Sequence, residues 1–443
     1  MLPLRCQAQN YEWGRRAAES EVAQLAKANG SEIDESKLYA ELWMGTHPNC
    51  PSRVAATGQS LQEWISGNPS VLGDKVSRYF KGQLPFLFKV LSVNKALSIQ
   101  SHPDKELAQR LHASHPKMYA DDNHKPEMAL ALAGFEALCS FVTVPELQEA
   151  LRSTPELRHV VGEKAAAEVE GLSEQNKEVL KSAFTALMTA EPELVKAQCA
   201  ALISRLKAKA DGPNGASGQT ARDSLVLRLH SQYEGDVGVL SSYFLNMVRL
   251  EPGQAIYLAA NEPHAYVAGE LMEVMATSDN VIRAGLTPKF RHTDVLCSSL
   301  TYEQGFPEVL PGSGSGVPPT GTTAYRPPFE EFELQRVAVA SGSVVSLPAN
   351  QGPMILLVQH GKGSAVCSTE HTPAAGLESI GLIQDPVIQR GGIFFVPAGT
   401  CVTLTAEESL TVWAAACNSN FFLLQEIRDS AAKKAAAAEP VPA

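Results

Sequence analysis

The stretch SIQSHPDKELAQRLHASHPKMYADDNHKPE, Ser98–Glu127, opens as an alternating run and takes on helical composition after its first proline. In an extended strand, side chains two apart share a face, so Ser98, Gln100 and His102 point the same way. A strand that turns a polar face inward is costly unless those groups have partners. One metal ion could satisfy Gln100, His102 and the carboxylate of Glu127 together. Pro103-Asp104-Lys105-Glu106 then reads as a helix start, proline first with acids in the opening turn.

Working outward, Leu84-Pro85-Phe86-Leu87-Phe88-Lys89-Val90-Leu91 is a nearly continuous apolar run, the pattern of a buried strand. Lys89 and Lys95 read as ordinary solvated lysines. Tyr11-Glu12-Trp13-Gly14 and Glu41-Leu42-Trp43-Met44-Gly45 carry aromatics to a glycine, as where strands enter turns, and Thr46-His47-Pro48-Asn49 follows as a loop. From about Val144 to Ala210 good helix formers dominate. There Val179, Leu180, Ala183, Phe184, Leu187 and Met188 form one apolar stripe, and Pro145, Pro155 and Pro192 fall where helices would start. Residues 211–218 break the region with loop composition.

Beyond about Asp223, β character returns in Leu240–Leu250 and Ala255–Leu258, and a loop leads to Pro263-His264-Ala265-Tyr266-Val267. The helical segment therefore reads as an insertion into one β domain. Residues 311–321, rich in Pro, Gly and Ser, read as a flexible linker or long loop. Met354–Gly363 and Gly391–Gly399 are strands ending at glycine turns. The second is a faint copy of Pro252–Leu258, but where that copy goes on to His264 this one offers only Thr400 and Cys401. The domains expected are 1–142 with 222–308, a helical domain at 143–221, a C-terminal β domain without a metal site at 309–430, and a disordered tail at 431–443.

A chain of 443 residues is long enough for two or three domains, and 44% hydrophobic with 19% charged residues is an ordinary globular balance. A net charge of -11 argues against nucleic acid or a membrane surface as partner, and an anionic substrate would need a local basic cluster. No apolar run approaches the roughly 20 residues of a membrane helix, and no secretory signal opens the chain. The eight cysteines are scattered without a CxxC pair, which reads as reduced, buried and cytoplasmic.

Two histidines and a carboxylate with an open position suit catalytic zinc, and His264 offers a ligand from a second strand. A glutamine oxygen is a neutral donor that leaves the ion a stronger Lewis acid. Taken singly, a strand histidine is more often a hydrogen-bonded core residue, so the weight rests on the four together. The stretch His264–Phe290 adds Tyr266, on the face of His264, and Glu273 with Met275 on a following strand. Its charges Glu270, Glu273, Asp279 and Lys289 are by default a solvated face. Arg283 stands apart, because it follows Val281-Ile282 and could carry a guanidinium from a buried strand into a pocket. Among the other histidines, His47 and His124 are candidates for lining a cleft. No GxGxxG, phosphate loop, HExxH or GxSxG is present.

The motifs YAELWMGTHPN (Tyr39–Asn49), LSIQSHPDK (Leu97–Lys105), YADDNHKPE (Tyr119–Glu127) and HAYVAGELMEVMATSDNVIRAGLTPK (His264–Lys289) together resemble the type I phosphomannose isomerase family. The resemblance implies two cupin-type jelly rolls with a helical domain inserted in the first, a mainly β fold. It implies one Zn²⁺ per chain on Gln100, His102, Glu127 and His264, and an essential arginine at Arg283. The reaction implied interconverts mannose 6-phosphate and fructose 6-phosphate through a cis-enediol or enediolate, supplying mannose 6-phosphate for GDP-mannose. Glu273 and Asp279 are the candidate bases, Tyr266 and Lys125 candidate donors, and Ser98, Lys289 and Trp13 candidate substrate contacts. A cytoplasmic monomer is expected. The rival from another class is a non-catalytic cupin that binds a sugar or a metal. The family pattern departs at Arg15-Arg16-Ala17-Ala18, where a glycine is usual; that touches a loop and not the site.

Overall fold

The computed structural model describes residues 1–210, 218–315, 319–369 and 382–438. They fall into two compact units, one of Met1–Ser92, Met272–Thr277 and Leu310–Ala443, the other of Val93–Leu271 and Ser278–Val309. The fold is sheet-rich with an inserted helical domain, as the pattern of the sequence predicts.

In the first unit, an eight-stranded sheet and a four-stranded sheet enclose an apolar core that includes Val337, Leu356, Val358, Val402, Leu404 and Val412. Thr400–Ala406 shows why: its residues alternate buried and half-buried, the period-2 pattern of a strand with one face on the core. The N-terminal strand Leu2–Arg5 is stitched into the larger sheet beside Ile393–Val396, with Leu2 opposite Phe395. Residues 311–315 and 319–321 do not form the flexible linker expected. Ser313–Ser315 pairs with Gly321–Tyr325 as an edge hairpin, since main-chain hydrogen bonds on a sheet edge need no apolar side chain; 316–318 lie outside the described residues. The expected tail is helical over its described part, because alanine and lysine extend the Ser419–Ala438 helix; 439–443 are not among the described residues.

In the second unit, helices Val144–Ser153, Pro155–Val161, Glu163–Glu170, Lys177–Met188, Pro192–Ala210 and Ala221–Gln232 form the insertion. Pro145, Pro155 and Pro192 all sit in first turns, where the missing N–H costs nothing. Leu180, Ala183, Phe184, Leu187 and Met188 are buried as one stripe. Their core is continuous with Ile99, Phe141, Leu245 and Ile282 from the strands, so helices and sheet share a single apolar interior.

The strands of this unit place the site. Glu127–Ala131 pairs with Ala255–Leu258, bringing Glu127 opposite Leu258. Phe135–Phe141 pairs with the start of His264–Ala276, Cys139 opposite His264. Ile99–Ser101 lies between that long strand and Ile282–Gly285.

Candidate metal centre

Gln100 is directly opposite His264 on one side and Arg283 on the other. Residues facing each other across an antiparallel pair project from the same face, so Gln100, His264 and Arg283 share one, and His102 follows two residues along. The alternation read in Ser98-Ile99-Gln100-Ser101-His102 is thus the local reason that three strands deliver polar groups to one place. The Ser98 hydroxyl donates to Gln100 Oε1 at 3.0 Å, as the shared face requires.

His102, Glu127 and His264 are all buried, and one ligand atom from each lies within 4.8 Å of the others. His102 Nε2 is 3.3 Å from Glu127 Oε1, and His264 Nε2 is 3.5 Å from Glu127 Oε2. The other ring nitrogens are committed: His102 Nδ1 lies 2.7 Å from the Asn280 carbonyl and His264 Nδ1 3.0 Å from the Glu262 carbonyl. A carbonyl only accepts, so each Nδ1 carries the proton and each Nε2 presents a lone pair. Burial pushes the His102 imidazole down to about 4, which keeps it neutral near pH 7. Both Nε2 atoms are buried without a hydrogen-bond partner. Acceptor-only atoms therefore converge on a carboxylate, an arrangement that repels itself unless a cation sits among them. These residues fit a divalent metal.

Glu127 is held as an anion. Burial alone would raise it, but the Lys125 ammonium 2.9 Å from Oε1 holds it below the usual carboxylate range. A second network fixes His102. Asp121 accepts from the Ser278 hydroxyl and the Asp279 amide at 2.8 Å each, and from Asn280 Nδ2 at 3.2 Å. Asn280 Nδ2 also donates to the carbonyls of Asp121 and Asn123, so the residue whose own carbonyl holds His102 is itself pinned. Asn261, at a left-handed φ of 61°, donates its amide to the His102 carbonyl at 2.7 Å and its side chain to Asp104 at 2.8 Å. Asp104 caps the Lys105–Ser114 helix.

The remaining candidates scatter. Arg283 is half-buried, desolvation lowers its pKa, and no carboxylate among the described residues lies within ion-pair distance of it. Asp279 is exposed beside Asn280, and Lys289 is exposed with its amide on the Thr287 hydroxyl. Tyr266 is buried, its ring edge-on to Phe135. Glu273 is not on a separate following strand: it continues the His264–Ala276 strand into the first unit. There it meets Lys89 at 2.9 Å, and Lys89 also meets Glu41 at 3.2 Å. Lys89 is therefore not a solvated lysine. Every residue of Phe86–Val93 is buried, so a lysine in its middle has to be paired, a signal already present in that apolar run. Lys95 is half-buried over the Tyr233 ring, 4.3 Å from its centroid. In the first unit, His47 packs edge-on against Trp43, and Trp13 is half-buried beside Tyr11.

The chain matches the family model for the catalytic domain of type I phosphomannose isomerase over residues 1–144, and that for its helical insertion domain over 157–245. Mannose-6-phosphate isomerase 1 of Arabidopsis thaliana is 44% identical over 427 residues, 94% of each chain. The Homo sapiens mannose-6-phosphate isomerase is 40% identical over 438 residues, 94% of this chain and 98% of that one. A solved structure of mannose 6-phosphate isomerase bound with zinc and yttrium aligns at a TM-score of 0.76 and 27% identity, covering 94% of this chain and 99% of the other. The apo form from Salmonella typhimurium aligns at 0.75, with the same identity and coverage.

Proposed function

We infer the chemistry from one premise: this chain belongs to the type I phosphomannose isomerase family. It is a mannose-6-phosphate isomerase, interconverting mannose 6-phosphate and fructose 6-phosphate. The observation that carries the metal reading is the pair of orphaned Nε2 atoms aimed at Glu127. We assign one Zn²⁺ per chain to Gln100, His102, Glu127 and His264. A zinc ion held by these residues would supply Lewis acidity to the substrate oxygens.

The rest is the work of side chains. The aldose must lose a proton from C2 and gain one at C1, with no net oxidation, by way of a cis-enediol. Asp279 lies one residue before Asn280, whose carbonyl accepts from His102 Nδ1, and we assign it as the general base; Glu273 pairs with Lys89. Arg283, a half-buried cation without a carboxylate partner, stabilises the negative charge that develops on oxygen. Lys125 orients the Glu127 carboxylate, and Ser98 orients Gln100. Tyr266 is a donor within the site, and Lys289 binds the sugar phosphate. The enzyme works as a cytoplasmic monomer. No helix among the described residues is long and apolar enough to cross a membrane.

Isomerisation in deuterium oxide, followed by NMR, tests the proton transfer. Wild-type protein should place solvent deuterium on the carbons that exchange the proton. Asp279→Asn should slow turnover by about 100-fold or more while keeping its metal. An Asp279→Asn enzyme turning over at the wild-type rate would remove Asp279 as the base.

A further inference from the structure

Arg283 has no carboxylate neighbour to aim it, so its direction is set by its backbone. That backbone is irregular. Arg283 is opposite Gln100, yet Gly285 is opposite Ile99, so Ala284 is an extra residue in the ladder. A bulge of this kind breaks the alternation. Arg283 stays on the face of Gln100 and His264, while Gly285 turns to the face of Ile99, whose side chain lies in the core shared with the helices.

On that face the strand meets Asp236, the cap of the short helix Val237–Ser241 at the end of the helical segment. Asp236 Oδ1 accepts the Gly238 amide and the Leu286 amide, both at 2.6 Å, and Oδ2 accepts the Thr287 amide at 3.3 Å. Leu286 has a φ of 53°, a left-handed conformation that a leucine adopts only when its surroundings impose it. The fit is backbone on backbone: a Cβ on Gly285 would stand 2.6 Å from both Gly238 Cα and Gly238 N. The carboxylate thus fixes Leu286 and Thr287, and the Gly238–Gly285 contact fixes Gly285, against the end of the insertion.

We propose that Asp236, with the Gly238–Gly285 contact, is a positioning residue that aims Arg283 at the reacting oxygens, and that this is how the helical insertion serves catalysis. The inference rests on Arg283 acting as assigned above. Asp236 itself touches no metal ligand among its hydrogen-bond partners, and its effect passes through the Ala284–Thr287 backbone.

The test is a double-mutant cycle on purified, metal-loaded enzyme with variants Asp236→Asn, Arg283→Ala and the pair. Asparagine keeps the shape and one accepting oxygen. Asp236→Asn should lower kcat by about 10- to 100-fold, the effect of a small misplacement of a catalytic group. KM should move by less than about threefold, since binding uses other residues. Bound metal per chain and the cobalt-substituted absorption spectrum should not move. In the Arg283→Ala background, Asp236→Asn should cost nothing more. Wild-type kcat in Asp236→Asn overturns the proposal, as does an equal loss in both backgrounds or loss of the metal. Should Asp236→Asn not fold, Gly285→Ala takes its place in the same cycle. If Arg283→Ala alone keeps near wild-type turnover, the role of Arg283 has failed instead, a result separate from the cycle.

Discussion

Two buried imidazole Nε2 atoms that can only accept, both facing one buried carboxylate, are the feature from which the chemistry follows. Truncating one ligand should therefore differ in kind from truncating Arg283. His102→Ala should lose metal and activity together, whereas Arg283→Ala should keep its metal and lose about 100-fold or more in turnover. Metal analysis beside a coupled assay separates them; a metal-replete, active His102→Ala would break the ligand assignment. At this scale Gln100 and His102 were legible from period-2 alternation alone. Glu127 and His264 join them on ligand chemistry, as a nearby carboxylate and a second strand histidine, and the family motifs imply the same four; which strands meet is not written in any one stretch. Lys89 was misjudged by weighing residue type above its strand. Lys89→Met, which leaves Glu41 and Glu273 buried without their cation, should destabilise the fold by about 3–5 kcal/mol in a denaturant titration. A change below 1 kcal/mol would mean that the pair is solvated.

Individual elements do the aiming. The segment Ser278–Asn280 is a loop, yet it is anchored as firmly as a strand because Asp121 accepts from three of its groups. Asp121→Ala should free the Asn280 carbonyl that orients His102 and weaken metal binding by about 10- to 100-fold, read in a competition titration with a chromophoric chelator. Unchanged affinity would show that Asp121 only tethers a loop. The sequence puts Glu273 and Met275 on a strand that follows the one carrying His264 and Tyr266, but His264–Ala276 is one strand. The chain instead runs on through Gly269 at a φ of 129°, pressed so close to Gly134 and Phe135 that no side chain fits. Register shifts, like those at Val267 and Ala284, come from pairing partners and leave little trace in composition.

For the molecule as a whole, composition separated β from helical regions well, since helix formers concentrate between Val144 and Ala210 and proline marks the helix starts. It could not show that the N-terminal strand Leu2–Arg5 is stitched into the C-terminal sheet, because register between distant segments is a tertiary property. Nor could it show that the insertion shares one core with the strands carrying the site. That continuity predicts that Phe184→Ala, deep in the insertion against Phe141 and Phe244, costs about 3–5 kcal/mol in one cooperative transition, followed by circular dichroism and by metal release together. Separate transitions would mean that the insertion folds on its own. The Nε2 atoms of His102 and His264 and the carboxylate of Glu127 need a metal cation among them for the protein to isomerise a sugar phosphate. The most direct test is to strip the protein with a chelator, verify the metal content, and titrate zinc back against mannose 6-phosphate isomerase activity. Activity should be lost on stripping and should recover to saturation at one zinc per chain; full activity in verified metal-free protein would rule the metal out of catalysis.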